Sequence, residues 1–276
     1  MNSSEAPAAP EHRNVILCCD CEGTYEQLRR VHRVFQRAQV PANFFFVGQT
    51  AEAMPDLVRE IARHHQCESH TYSHPNLRRL SYTEQRHEIL RGRQVVEDCI
   101  GRPTRGFRAP MHCMNRDTVR VLNEESFVFD ASRLYFRYHM GKVEEINPTW
   151  FREWMPLYEW IGLRPRTAFR LFRLLTRLKR TCVLPVHPHY SGKTPELARA
   201  LLWFLNDARR RGIRFWYIDE WLKATRGVPL PERGPDEPFL STGGLVADAR
   251  GSAGMAPPSA SSSAARLAAP ERMLSR

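Results

Sequence analysis

From Val15 to Leu222, short apolar runs alternate with stretches in which apolar residues recur every three or four positions. Short unbroken apolar runs suit strands covered on both faces, and the helical spacing suits the helices that cover them. The pattern therefore predicts a βα repeat around a mostly parallel sheet. "NVILCCD" reads as the first buried strand. Thr24, with Gln27 three residues on, forms a capping box for a helix whose Leu28, Val31, Val34, Phe35 and Ala38 share one face. "NFFFVG" is a second strand, followed by a helix with Leu57, Val58 and Ile61 inward. Ser81 and Glu84 make another capping box, for a helix that runs to Ile100 and closes at Gly101. "RGFRAP", a helix opening at Asn115 and the strand "FVFD" come next. Later, Thr194 caps a helix with Pro195 at its first position and Gly212 past its end, and "IRFWYID" closes the pattern as a strand.

Beyond Arg226 the chain turns to Pro, Gly, Ser and Ala and cannot bury enough apolar surface to offset the entropy of ordering it. We expect residues 1–12 and 226–276 to be disordered and 13–225 to form one catalytic-sized domain. With 42% hydrophobic residues in 276, the chain can bury a substantial core. The start has no apolar run ahead of a small-residue cleavage site, so a cytoplasmic location is the expectation. The seven cysteines, with Cys18, Cys19, Cys67 and Cys182 inside apolar runs, read as reduced and mostly buried thiols.

The formal charge of +11 points to an anionic partner. Much of it sits in "RPRTAFRLFRLLTRLKR", where Arg166, Arg170, Arg173, Arg177 and Arg180 recur at helical steps beside Phe169, Phe172, Leu175 and Leu178. This basic amphipathic helix reads as an outer helix with solvated arginines; contact with an anionic membrane or an acidic substrate are the other readings. Nucleic acid is not expected, because no interleaved aromatic or zinc-finger signature accompanies the charge.

In parallel αβ architectures, ligands meet the carboxyl ends of the strands, so polar residues just after apolar runs are the candidates for chemistry. There are Asp20 and Glu22, His70 and His74, Arg108 and Pro110, Asp130 and Ser132, and His187 and His189. Asp20 and Glu22 stand two apart and share a face of an extended chain, and two acids in one cavity call for a cation or a raised pKa. His70 and His74, at a spacing that turns both rings to one side of a helical turn, offer neutral nitrogens suited to Zn²⁺, Co²⁺ or Ni²⁺. Cys18 and Cys21 have the spacing of a zinc knuckle, but side chains three apart on a strand face opposite ways.

Taken in order, "CDCEG", "HTYSH", "RAP", "FDAS" and "LPVHP" resemble the successive motifs of the polysaccharide deacetylase family, the NodB homology domain of carbohydrate esterase family 4. The resemblance implies a distorted (β/α)7-8 barrel and a metal-dependent hydrolase that removes acetyl groups from an N-acetylated amino sugar. It implies Asp20 as general base, Glu22, His70 and His74 as ligands of a divalent metal, zinc first, and Arg108 as the residue orienting Asp20. His187 would protonate the departing amine, with Asp130 tuning it, and Pro110, Met111, Ser132 and Leu184 would line the substrate cleft. The sequence departs from the family where Cys21 separates the two acids, where Glu68 replaces a usual glycine, and where Met111 replaces a frequent aromatic. The spacing leaves open whether Asp20 or Glu22 touches the metal. Hydrolysis of a non-sugar amide such as a cyclic ureide, or a degenerate barrel that only binds anionic glycan or membrane, are the alternatives.

Overall fold

The computed structural model describes residues 13–132, 140–149 and 164–230. The segments expected to be disordered, 1–12 and 226–276, lie outside these residues except for 226–230. In chain order the elements are β1 (Asn14–Cys21), α1 (Tyr25–Ala38), β2 (Asn43–Phe46), α2 (Gly48–Ala53), α3 (Pro55–Ala62), β3 (Gln66–Ser69) and α4 (Tyr82–Ile100). Then follow β4 (Gly106–Phe107), α5 (Arg116–Glu124), β5 (Phe129–Asp130), β6 (Glu144–Glu145), α6 (Pro165–Ala168) and α7 (Arg170–Leu178). The last are β7 (Thr181–Val186), α8 (Pro188–Ser191), α9 (Pro195–Arg210), β8 (Arg214–Phe215) and α10 (Ile218–Arg226).

The strands form one curled parallel sheet in the order β6-β5-β4-β3-β2-β1-β7, with β8 on the first two residues of β1. All of β1 is buried, as expected for a central strand covered on both faces. Its side chains alternate. Val15, Leu17, Cys19 and Cys21 pack outward with Leu28, Val31 and Phe35 of α1 and Leu201 and Phe204 of α9. Ile16 and Cys18 turn inward, to Phe45, Phe129, Ile146, Val183 and Ile218. All seven cysteines are free, and Cys18 and Cys21 lie on opposite faces, so they form no knuckle. Between β6 and β7 the curl is bridged by Thr149, whose N–H donates to Val183 O at 2.9 Å while its hydroxyl accepts from Val183 N at 3.0 Å. The parallel sheet is the one the repeat predicts, and its curl into part of a barrel is the distorted barrel that the resemblance implies.

Both predicted capping boxes are present, at Thr24 and Ser81, and Gly101 ends α4 in the left-handed conformation. The helix expected after "NFFFVG" is instead two, α2 and α3, separated at Met54, with Pro55 starting the second. "IRFWYID" gives only a two-residue strand before Ile218 opens α10. The single basic helix expected over 166–180 is broken at Phe169 into α6 and α7, and Lys179 is extended, so Arg180 lies past the helix end. Phe169 and Phe172 pack on Phe204, but Leu178, expected inward, is 71% exposed. Arg173 is not simply solvated: with Arg211 it flanks Asp207, at 3.0 and 2.9 Å. Among the described residues, no helix is long and apolar enough to cross a membrane.

Asn43, fully buried, joins three segments at the base of the sheet. Its Nδ2 donates to Leu17 O at 2.9 Å and Trp216 O at 3.3 Å, and its Oδ1 accepts from Ile218 N at 2.8 Å. Asn43→Leu would strand one buried N–H and two carbonyls, at a cost of about 1–3 kcal/mol for an unsatisfied buried group. Urea denaturation should show the midpoint falling with an unchanged slope; a variant as stable as wild type would refute this role for Asn43.

Candidate active site

The carboxyl end of β1 delivers two acids into the barrel mouth. Asp20 follows Ile16 and Cys18 on the inner face, and beyond it the chain curls tightly, with Glu22 N–H donating to Asp20 O at 2.8 Å. Gly23, at φ +113, then turns the chain into the Thr24 cap of α1, a conformation that favours glycine. The extra Cys21 packs outward, so both acids keep the inward direction.

Asp20 and Arg108 form a buried ion pair. Arg108 Nε lies 2.7 and 2.9 Å from the two oxygens of Asp20, and Nη1 donates to Ala131 O at 2.6 Å. Arg108 is completely buried. Burial alone would push the Asp20 carboxyl up, but the Arg108 guanidinium, aided by His187 and His70, holds it well below the usual carboxylate range. His187 Nε2 stands 3.3 Å from Asp20 Oδ2.

Glu22 meets the two histidines of "HTYSH". His74 Nε2 is 2.9 Å and His70 Nε2 is 3.9 Å from Glu22 Oε1, and the three potential ligand atoms lie within 4.8 Å of one another. The rings are not brought together by a helical turn, as their spacing suggests. Residues 70–76 form an irregular loop in which Thr71 and His74 are left-handed, at φ 65° and 61°. His70 Nδ1 is 2.7 Å from Arg108 O. A carbonyl only accepts, so Nδ1 carries the proton and Nε2 keeps its lone pair. The Nε2 atoms of His70 and His74 are buried and make no hydrogen bond, which leaves them available as ligands. Two imidazole nitrogens and a carboxylate oxygen fit a divalent cation such as zinc. Partial burial would push the Glu22 carboxyl up, but the two imidazoles beside it hold it well below the usual carboxylate range.

The remaining expected residues divide. His189, which the motif spacing brought up without a role, places Nδ1 3.5 Å from Glu22 Oε2 and packs on Tyr190. Only its position two residues after His187, just past a strand end, signals it in the sequence. Asp130 lies between Phe129 and Ala131, both of the inner cluster, and beside Phe107 of the outer one. It accepts from the Ser132 hydroxyl and from Ser132 N at 3.2 Å, and burial pushes it up to about 6 against these bonds and Arg108. The carboxylate that meets His187 is Asp20, not the expected Asp130. Ser132, expected to touch substrate, is buried, and its hydroxyl accepts from Ala109 N at 2.6 Å while bonding Asp130. Pro110 is buried, whereas Met111 is 55% exposed and left-handed. Leu184 does not line the cleft: strand alternation puts it, with Cys182 and Val186, on the helix-facing side of β7.

Residues 9–128 match the family model described as polysaccharide deacetylase. Over these residues the chain is similar to the polysaccharide deacetylase family. Within curated relatives, the chain is 31% identical over 90 residues to the peptidoglycan-N-acetylglucosamine deacetylase of Bacillus cereus, covering 32% of this chain and 33% of that protein. It is 31% identical over 88 residues to a chitooligosaccharide deacetylase of Bradyrhizobium sp., covering 31% and 40%. The chain thus spans between a third and two fifths of these relatives. Two solved structures share the fold. A candidate polysaccharide deacetylase from Mycobacterium smegmatis has a TM-score of 0.67 at 23% identity, over 85% of this chain and 99% of that one. A family 4 carbohydrate esterase pseudoenzyme from Bacillus anthracis has 0.58 at 18%, over 79% and 70%. The polysaccharide deacetylase match ends before Asp130 and His187, so the positions of those residues rest on the described geometry.

Arg108→Met keeps bulk but leaves Asp20 buried without its cation, and should cost about 3–5 kcal/mol near neutral pH. In wild type the depressed Asp20 contributes stability that is full above the ordinary carboxylate pKa and is lost as pH falls through the folded value. In the variant burial is opposed only by His187 and His70 and the carboxyl rises, so the stability gap should narrow in acid. Denaturation midpoints of both proteins across the acid range check this, and a constant gap would contradict it.

Proposed function

We propose that the protein is a metal-dependent N-deacetylase acting on an N-acetylated amino sugar: an oligosaccharide, a glycolipid or a small biosynthetic intermediate. The observation that carries the reading is the adjacency of two sets of residues. Glu22, His70 and His74 converge through free ligand atoms, and Asp20, Arg108 and His187 form a charged relay beside them. The named relatives from Bacillus cereus and Bradyrhizobium, which are deacetylases of amino sugars, support the substrate class.

Glu22, His70 and His74 would hold the cation, zinc first and cobalt or nickel as alternatives. When bound, such a cation supplies Lewis acidity, which polarises a carbonyl and lets water ionise near neutral pH. Asp20, kept ionised by Arg108, accepts the proton of the attacking water. Arg108 holds both oxygens of that base and, through its own carbonyl, fixes the ring of His70. His187, 3.3 Å from Asp20, is placed to donate a proton to the amine as the amide C–N bond breaks. Water adds to the carbonyl carbon, the C–N bond breaks, the acetyl carbon is released as acetate, and the sugar nitrogen, taking the proton, departs as a free amine.

Acetate release should be measured on N-acetylated mono-, oligo- and lipid-linked sugars, with Zn²⁺, Co²⁺ and Ni²⁺ in parallel. We expect one class to be turned over, with the activity lost on chelation and restored by metal. Asp20→Asn should lower kcat by about 10²–10⁴-fold with zinc still bound, and His70→Ala or His74→Ala should abolish zinc uptake. Full turnover by chelated protein would overturn the metal dependence; no release from any sugar would overturn the substrate class.

A further inference from the structure

The loop that joins the two histidines is not at rest by itself. Thr71 and His74 both carry a Cβ yet sit at φ 65° and 61°, and Thr71 is β-branched and fully buried. A loop strained at two positions in four residues relaxes unless its surroundings fix it.

Two helices fix it. From α2, Gly48 N–H donates to Thr71 O and Gln49 N–H to Tyr72 O, both at 2.9 Å. From α4, Glu88 grips the other side: its carbonyl accepts from Tyr72 N at 3.0 Å. Its carboxylate accepts from Ser73 N at 2.8 Å and from the Ser73 hydroxyl at 2.9 Å. One turn further along the same face of α4, Gly92 lies against the loop backbone. A Cβ there would meet Thr71 C at 2.3 Å and Thr71 O at 2.5 Å. Glycine inside a 19-residue helix is unfavourable on propensity, and here the close approach requires it. Arg91, between them, stacks on the Tyr72 ring at 3.5 Å.

We propose that Glu88 and Gly92 are positioning residues for the candidate metal site: α4 is the template that imposes the strained backbone at Thr71 and His74, so that both Nε2 atoms face Glu22. The inference rests on the reading of Glu22, His70 and His74 as cation ligands. It assigns to α4, a helix with no residue in the site, control over metal affinity.

The test uses the full chain as wild type, Glu88→Gln, Gly92→Ala and the control Gly101→Ala. Gly101 is the left-handed cap that follows α4 and has open space around it, so alanine there strains the helix end without touching the loop. Zinc dissociation constants come from chelator competition, and hydrogen exchange is followed at the Tyr72 and Ser73 amides. In Glu88→Gln the carboxylate charge is lost and the Ser73 hydroxyl must turn from donating to accepting, which weakens the clamp on Ser73. Zinc affinity should fall about 10–100-fold, the usual loss when a partner behind the ligands is removed, with faster exchange at Ser73. Gly92→Ala should lose at least as much, and Gly101→Ala should lower Tm while binding zinc as wild type does. Wild-type affinity in Glu88→Gln, or an equal loss in Gly101→Ala, overturns the proposal; should Gly92→Ala fail to fold, Glu88→Gln decides alone. Wild-type protein that takes up no zinc overturns the metal reading, whereas unaltered exchange in Glu88→Gln overturns the template whatever zinc does.

Discussion

The buried pair of Asp20 and Arg108 is the constraint around which the site is arranged. Two full charges out of water are tolerable only when each finds its partner. Here the pair crosses the inner face of the sheet from β1 to the end of β4. Arg108 also bonds Ala131 O beyond β5, and its carbonyl takes the Nδ1 proton of His70 beyond β3. One residue thus sets the ionisation of Asp20 and the tautomer of His70. Moving it would disturb both at once, which is why its burial is complete.

The departures from the family pattern acquire physical meaning in this setting. Cys21 adds one residue between the acids, and strand alternation with the tight curl at Glu22 turns it into the helix-facing core, leaving the carboxylates inside. The second oxygen of Glu22 is then approached by His189. Glu68, two residues before His70 on β3, fills space beneath the site with a polar group. It accepts from Gln66 Nε2 at 2.7 Å, Arg105 N at 2.8 Å and Gly106 N at 2.6 Å. Burial and the nearby Asp219 nevertheless push its carboxyl up to about 7. The floor of the cavity is a hydrogen-bonded network, closed by the ion pair of Arg105 and Asp219 at 3.1 Å.

Much of this is legible in the chain itself, and the reasons are local. Thr24, Ser81 and Gly101 act within one turn, so their capping roles follow from neighbours alone. The strand of "NVILCCD" follows from its composition, and the acids at its end follow from period two. What was not legible depends on contacts distant in sequence. The ring directions of His70 and His74 are set by a loop with two left-handed residues, where spacing carries no information. Leu184 belongs to the motif "LPVHP", yet strand alternation turns it to the helices, which a motif read along the chain does not show. Whether His187 meets Asp20 or Asp130 is decided by which strands adjoin, and β7 lies beside β1. The break at Phe169 in the basic segment reflects its packing on Phe204, which periodicity within the segment cannot show.

The position of β1 has a consequence for the order in which a ribosome-bound chain can assemble. Its neighbours are β2, which arrives within about one helix of it, and β7 and β8, which come only with residues 181–215. Long loops must close before the second set can dock, and such closures are slow. Glu22, His70 and His74, with Glu88, Gly92 and Arg108 that hold their loop and ring, all precede β5 in the chain, whereas His187 arrives only with β7. During biosynthesis, the cluster around Glu22 can therefore be in place before His187 reaches Asp20.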